Sequence, residues 1–208
     1  MTFALWLTFL CLALAASFSP GPGVLLAIST TMALGARRTV YSSAGNAVGV
    51  FLVSCVAVSG VGLMVQRSPL AFSVLKLAGA AYLAWLGVKQ WRGAGKGAQA
   101  AVPNGQAVAH TDSRYAVFRR GLLVASSNPK AILFFSAVFP QFMPPGELDA
   151  HRFLLLSLTF VGCTFVSHLS YVLLAASAGA RFLTGAGMVR LQRGTALLFI
   201  ALAFALAR

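Results

Sequence analysis

The chain has 208 residues, is 59% hydrophobic and only 9% charged, and has a mean hydropathy of +0.84, which excludes an ordinary soluble domain and describes an integral membrane protein. Its 16 Lys and Arg against 3 Asp and Glu sit at the borders of apolar segments and form no stripe interleaved with aromatics, so they point to membrane topology and not to a nucleic-acid partner. Cys11, Cys55 and Cys163 lie inside apolar runs without the close spacing of a metal site or a redox pair, and are expected to be core thiols; neither a metal nor another cofactor is expected.

The first apolar segment runs from Phe3 to Leu34, too long for one straight helix across a hydrocarbon core that about 20 residues span. Within it, residues 16–27 read ASFSPGPGVLLA. Proline removes a backbone donor and clashes with the preceding turn, and glycine adds backbone freedom, so this stretch exposes polar backbone that lipid cannot satisfy. A span broken at SPGPG is expected; a re-entrant first segment, leaving five full crossings, is the alternative. The first Lys or Arg is Arg37, so the stretch lacks a basic n-region and reads as a retained span, not a cleaved leader.

Five further segments follow, roughly Val40 to Val65, Pro69 to Trp91, Leu122 to Met143, Phe153 to Ala178 and Met188 to Ala207. The fold class is therefore all-α, with about six transmembrane helices. RGAGKGAQAAVPNGQAVAHTDSR, between the third and fourth segments, reads as a mobile linker. Arg37 and Arg38 follow the first segment; Arg92, Lys96, Arg114, Arg119 and Arg120 lie between the third and fourth; Arg181, Arg190 and Arg193 lie between the fifth and sixth. The remaining loops and the C-terminus carry Arg67, Arg152 and Arg208, with Glu147 and Asp149. The positive-inside rule makes the basic loops cytoplasmic and, with six crossings, places both termini outside; a re-entrant first segment would put the N-terminus inside.

The second half repeats the break. SNPKAILFF, from Ser127, can be laid on SPGPGVLLA with Pro129 over Pro20, and GAAYLAWLG from Gly79 over GTALLFIAL from Gly194. Three spans per half is an odd number, so the halves would lie in opposite orientations, the inverted-repeat plan of many secondary transporters. The units are residues 1–91, a cytoplasmic basic linker at 92–118, and residues 119–208. Chance similarity between apolar segments is the competing explanation.

Broken helices at the bilayer midplane offer half-helix N-termini to anions and freed carbonyls to cations. Pro20 and Pro22 deprive the carbonyls of Ala16 and Phe18 of helical donors, and Pro129 deprives that of Ala125; the amides around Gly23 to Leu25 and Ala131 to Leu133 can face a carboxylate. A zwitterionic amino acid offers both groups. The competing reading is a pair of proline kinks satisfied by the hydroxyls of Ser17, Ser19, Ser126 or Ser127. Lys130 lies near the bilayer centre and Lys76 inside the third segment, and either ammonium is a candidate for a substrate carboxylate; against this stand snorkelling for Lys76 and a bond to loop carbonyls for Lys130. The substrate-binding candidates are thus Pro20, Gly21, Pro22, Gly23, Asn46, Lys76, Asn128, Pro129 and Lys130, with Ser167, Ser170 and Tyr171 as further polar groups. His168 is a candidate proton relay, although a lone histidine more often serves packing, which is the reading preferred at this point. No acidic residue lies within any apolar segment, so the usual carboxylate relay is absent, and no set of catalytic groups supports an enzyme. Gly45 and Gly49 form GxxxG, and Gly79, Ala80 and Gly87 put small residues on the third segment; they suit close helix packing, either on the other half of the chain or in a homo-oligomer.

Four stretches, SPGPG at 19–23, LKLAGAAYLAWLGVKQW at 75–91, NPKAILFF at 128–135 and FPQF at 139–142, resemble the LysE/RhtB superfamily of bacterial amino-acid exporters across nearly the whole chain. The stretch around Gly79 is most similar to the homoserine, homoserine-lactone and threonine efflux branch. The resemblance implies a bacterial inner-membrane carrier, driven by the proton-motive force, that expels amino acids or close derivatives. Members that export Lys or Arg tend to carry carboxylates where this chain has Asn46 and Phe134. Neutral side chains there argue against a cationic substrate, because a buried cation needs a partner. The expected partners are accordingly a small neutral amino acid, such as homoserine, threonine or a leucine-like compound, and the lipid bilayer.

Overall fold

The computed structural model describes residues 1–65, 69–94, 113–143, 149–177 and 186–207, all helix and short connections without a strand among them. The middle of the expected linker, together with Arg67, Lys96, Glu147, Arg181 and Arg208, lies outside the described residues. The helices are α1 (Phe3–Phe18), α2 (Pro22–Leu34), α3 (Ala36–Val65), α4 (Pro69–Gly93), α5 (Arg114–Ser126), α6 (Pro129–Leu133), α7 (Ala150–Ala176) and α8 (Ala186–Ala207). Side-chain oxygens fix several starts: Thr2 accepts from the Leu5 amide, Ser113 from Ala116 and Asp149 from Arg152. The single turn between α2 and α3 is closed by Gly35 at φ 81°, a left-handed conformation that favours glycine.

Both expected breaks are present. The chain bends by 49° between α1 and α2 and by 46° between α5 and the stretch Pro129–Phe142. Among the described residues three helices are long and apolar enough to cross a membrane, or up to five if each bent pair is one span. Helix α4 coincides with the expected third segment and at 25 residues is about 37 Å long.

Beyond α6 the helix widens into a π turn at Phe134–Val138 and tightens into a 3₁₀ turn at Phe139–Phe142. Pro140 has no amide to return to the carbonyl of Ser136, so the regular ladder cannot continue through FPQF. This irregular stretch stays inside the protein, where protein groups surround it. Phe134, Phe135, Phe139 and Phe142 are buried against Phe9 and Phe160, with ring centroids 4.7 Å apart for Phe134 and Phe160 and 5.2 Å for Phe9 and Phe142. Such offset and edge contacts are favourable aromatic geometry. The outer surface is apolar: Met32, Val56, Leu70, Leu173 and Phe204 are all exposed, as lipid-facing positions require.

The small residues serve contacts within one chain. A Cβ on Gly45 would lie 2.0 Å from the Phe118 carbonyl oxygen, and one on Gly121 2.0 Å from that of Ser42, so α3 and α5 touch backbone to backbone. Gly49 meets Ala125 and Leu122 of α5, Gly79 meets Ala137 and Gln141, and Gly87 meets Ala196 and Ile200 of α8. Apart from α2 with its chain neighbour α3, the principal pairings are α3 with α5, α4 with α8, α1 with α7 and α3 with α7, each joining one half of the chain to the other.

Candidate functional site

Where the breaks meet, the carbonyls released at the end of α1 are taken by side chains of the second half. Lys130 Nζ donates to the carbonyls of Ala16 at 2.5 Å and Ser19 at 2.9 Å. Ser167 Oγ donates to Ser17 O at 2.8 Å, and the Tyr171 hydroxyl to Phe18 O at 2.7 Å. A helix end that would cost several kcal/mol in lipid is thereby satisfied by α6 and α7. The serine hydroxyls do not perform this task at the first break: Ser17 Oγ pairs with Thr164 Oγ1 at 3.3 Å, and Ser19 Oγ donates to Gln90 Oε1.

The second break is satisfied locally. The Asn128 amide donates to Ala125 O at 3.1 Å, that of Ile132 to Asn128 O at 3.0 Å, and Ser126 Oγ to Leu122 O at 2.9 Å. Asn128 Oδ1 caps α6 by accepting from the Lys130 amide at 3.0 Å. The two breaks are thus unlike. The start of α6 is filled by its own cap, whereas no side chain caps α2 at Gly21, leaving its first-turn amides open to an anion.

Between the breaks lies a cavity of about 50 Å³, lined by Gly21, Gly23, Asn46, Asn128, Lys130 and His168 among others, with Phe134 and Phe160 as its aromatic wall. Each enclosed water needs about 10–15 Å³ by the same measure, so the cavity holds a few waters and its walls must part to admit an amino acid. Of the candidates read from sequence, six line it. Pro20, Pro22 and Pro129 do not: Pro22 and Pro129 open their helices at the first position, with their rings exposed, and shape the site only through the backbone. Lys76 is on α4, and its side chain lies outside the described residues. Ser170 donates to Val166 O on its own helix and is not among the lining residues.

Lys130 therefore has a structural task without being used up by it. An ammonium has three protons to donate, and two are placed on carbonyls. Among the described residues no carboxylate lines the cavity, Asp149 serving instead as the cap of α7, so none of these competes there for the third. Asn46, only 4% exposed, has its Oδ1 without a hydrogen-bond partner. An orphaned acceptor costs about 1–3 kcal/mol, and a donor supplied by a ligand would offset it.

The chain matches the family described as LysE type translocator over residues 14–208. It belongs to that family. Among curated relatives of this LysE-type protein, the homoserine/homoserine lactone efflux protein of Salmonella typhimurium is 38% identical over 84% of this chain and 82% of its own. The leucine efflux protein of Klebsiella pneumoniae is 30% identical over 85% and 81%, and an uncharacterized membrane protein of Vibrio cholerae is 34% identical over 86% and 84%. No solved structure matches the chain.

The LysE-type chain also uses residues that the sequence reading passed over. Gln90 accepts from Ser19 Oγ and donates to Thr195 Oγ1 and to Gln192 O, tying α4 to the first break and to α8. Leu83, Gly87 and Gln90 are spaced by four and three, one face of a helix, which marked Gln90 as inward. Gly23, one of the expected residues, is packed closely against two others. A Cβ there would lie 2.9 Å from Asn46 Oδ1, 3.0 Å from Asn46 Nδ2 and 3.3 Å from His168 Nε2. Gly23→Ala is expected to push both side chains into the cavity and to lower substrate affinity by about tenfold, with stability changed by less than about 1 kcal/mol because flexible side-chain ends can yield; concentration-dependent uptake into vesicles, alongside a melting curve, measures both.

Proposed function

We propose that this translocator is an inner-membrane exporter of small neutral amino acids of the homoserine, threonine or leucine kind, driven by the proton-motive force. The observation that carries this reading is the meeting of the two breaks: the uncapped N-terminus of α2 and the third proton of Lys130 suit a carboxylate, the orphaned Asn46 Oδ1 suits an ammonium, and both face one cavity. A zwitterion supplies the two charges at the required close spacing. Among the described residues no carboxylate lines the cavity, which disfavours a basic side chain, whose second positive charge would meet Lys130 there. The printed activities of the Salmonella and Klebsiella relatives, homoserine and leucine efflux, support the same substrate class.

The architecture proposed for this work is two inverted three-helix units, 1–91 and 119–208, joined by the cytoplasmic linker 92–118, with six crossings and both termini outside. Its support is the pairing of elements across the halves, α1 with α7 and α5 with α3, which is one contact made twice if the units exchange roles. Gly21 and Lys130, superposed when Pro129 is laid on Pro20, are neighbours, with a Cβ on Gly21 falling 3.9 Å from Lys130 Cδ. The bend of 49° between α1 and α2 suits a broken span, with a re-entrant first segment as the alternative.

Counterflow in proteoliposomes tests the function. Vesicles loaded with homoserine, threonine or leucine should take up the labelled compound transiently, while lysine- or arginine-loaded vesicles should not. Counterflow with arginine but none with neutral amino acids would overturn the assignment.

A further inference from the structure

The outer side of α3 and α5 carries another cavity, of about 290 Å³, which the exporter reading does not use. Leu52 and Val56 of α3, Ser126 of α5, Ile132 of α6 and Ser136 of the π turn border it. It begins where the close crossing of α3 with α5 ends, Gly49 meeting Ser126, and where the second half bends by 46° after that serine. Leu52, Val56 and Ile132 are exposed, so the cavity opens on the surface that faces lipid. Hydrocarbon fills such a space, because an apolar wall without partner atoms forfeits its dispersion contacts.

The two flanking helices lead from this cavity to a basic end. On α3, Tyr41, Val48 and Leu52 are exposed and spaced by seven and four, one face of a helix; on α5, Tyr115, Arg119 and Ser126 are spaced by four and seven, again one face. Leu52 and Ser126 meet in the cavity, so the two faces border one furrow. Arg119 is exposed along it, and at its head the Arg114 guanidinium lies 5.6 Å over the Tyr41 ring. Arg37, Arg38 and Arg120 add positive charge at the same end, where the nearest acidic residue in sequence, Asp112, lies outside the described residues. Leu52 follows Tyr41 by eleven residues, about 17 Å of helix, and the hydrocarbon of one leaflet is about 15 Å deep. An acyl chain hung from a headgroup at the arginines therefore reaches the cavity.

We propose that this furrow binds one anionic phospholipid, with its phosphate against Arg114 and Arg119 and an acyl chain in the cavity. Charge selects the lipid: guanidinium groups match phosphate oxygens in geometry as well as sign, and a basic pocket beside membrane helices suits an anionic headgroup. Charge also disfavours a second copy of the chain in the same place. A two-fold dimer sets a patch against its own copy, which here brings arginines onto arginines in a protein of net charge +13. Ile132 and Ser136 border the furrow, while Ala131 and Phe134 of the same stretch line the cavity between the breaks. The bound acyl chain thus braces the far side of that wall, whatever solute the protein carries.

The test titrates the full-length protein in detergent with phosphatidylglycerol, phosphatidylcholine or glycerol phosphate, counting bound lipid by native mass spectrometry and following stability by melting. Phosphatidylglycerol should bind at about one per chain, at least about tenfold more tightly than phosphatidylcholine, and should raise the melting temperature. Glycerol phosphate, a headgroup without a tail, should do neither. In the double variant Arg114→Gln, Arg119→Gln the two lipids should bind within about twofold of each other. Val56→Trp, at a position 74% exposed, should fill the cavity and weaken both lipids, while melting as the wild type does in their absence. Equal binding of the two lipids by the wild type, a preference that survives in the double variant, unchanged phosphatidylglycerol binding in Val56→Trp, or stabilisation by glycerol phosphate equal to that by the lipid would overturn the proposal. A lipid-free dimer that Val56→Trp dissolves would also overturn it and give the face to a second copy.

Discussion

Lys130→Met is expected to lower export by about 100-fold or more at equal membrane expression. The change removes the ammonium that joins the breaks and leaves the Ala16 and Ser19 carbonyls without their donor. Each orphaned group costs about 1–3 kcal/mol, so the melting temperature should fall as well. A purely structural role and a binding role separate through the substrate. If Lys130 holds the carboxylate, wild-type vesicles should prefer leucine to leucinamide by about tenfold or more, and Lys130→Met should erase most of that preference in whatever transport remains. A variant that is merely less stable would keep the wild-type ratio.

The second large effect is at the crossing of α3 and α5. Gly121→Ala places a methyl 2.0 Å from the Ser42 carbonyl oxygen, and Gly45→Ala one 2.0 Å from that of Phe118. Backbone cannot yield as a side chain does, so the helices must separate, and each substitution should cost about 3 kcal/mol or more, roughly a 5–10 °C loss in Tm. The double variant should cost less than the sum, because one separation relieves both clashes. Gly162→Ala on α7, with nothing within 4 Å of its Cβ position, is the control and should be neutral or slightly stabilising through helix propensity.

The places where the helices break were legible because proline and glycine act on the backbone regardless of what surrounds them. Lys130 was legible because an ammonium deep in an apolar segment is costly unless it has a task. The sequence did not reveal which carbonyls it engages, since they belong to residues more than 100 positions away. Nor did it reveal that the breaks differ: both have proline at the first helical position, but Asn128 folds back as a cap where Gly21 has no side chain to do so. The prolines themselves stood out in the sequence and lie outside the cavity lining, because what they contribute is the absence of a donor. Asn46 and His168 entered as isolated polar residues, and only the fold brings them to the same side of Gly23. The helix faces carrying Gly45 and Gly49 could be read from spacing, but their partner within the chain could not.

The claim under all of this is that two interrupted helices jointly hold a small zwitterion. A structure of the protein with homoserine or leucine bound tests it most directly. The account predicts the carboxylate within about 3 Å of Lys130 Nζ and the Gly23 and Val24 amides, the ammonium at Asn46 Oδ1, and Phe134 or Phe160 displaced to make room. An amino acid bound elsewhere in the protein, with the space between the breaks unchanged, would contradict it.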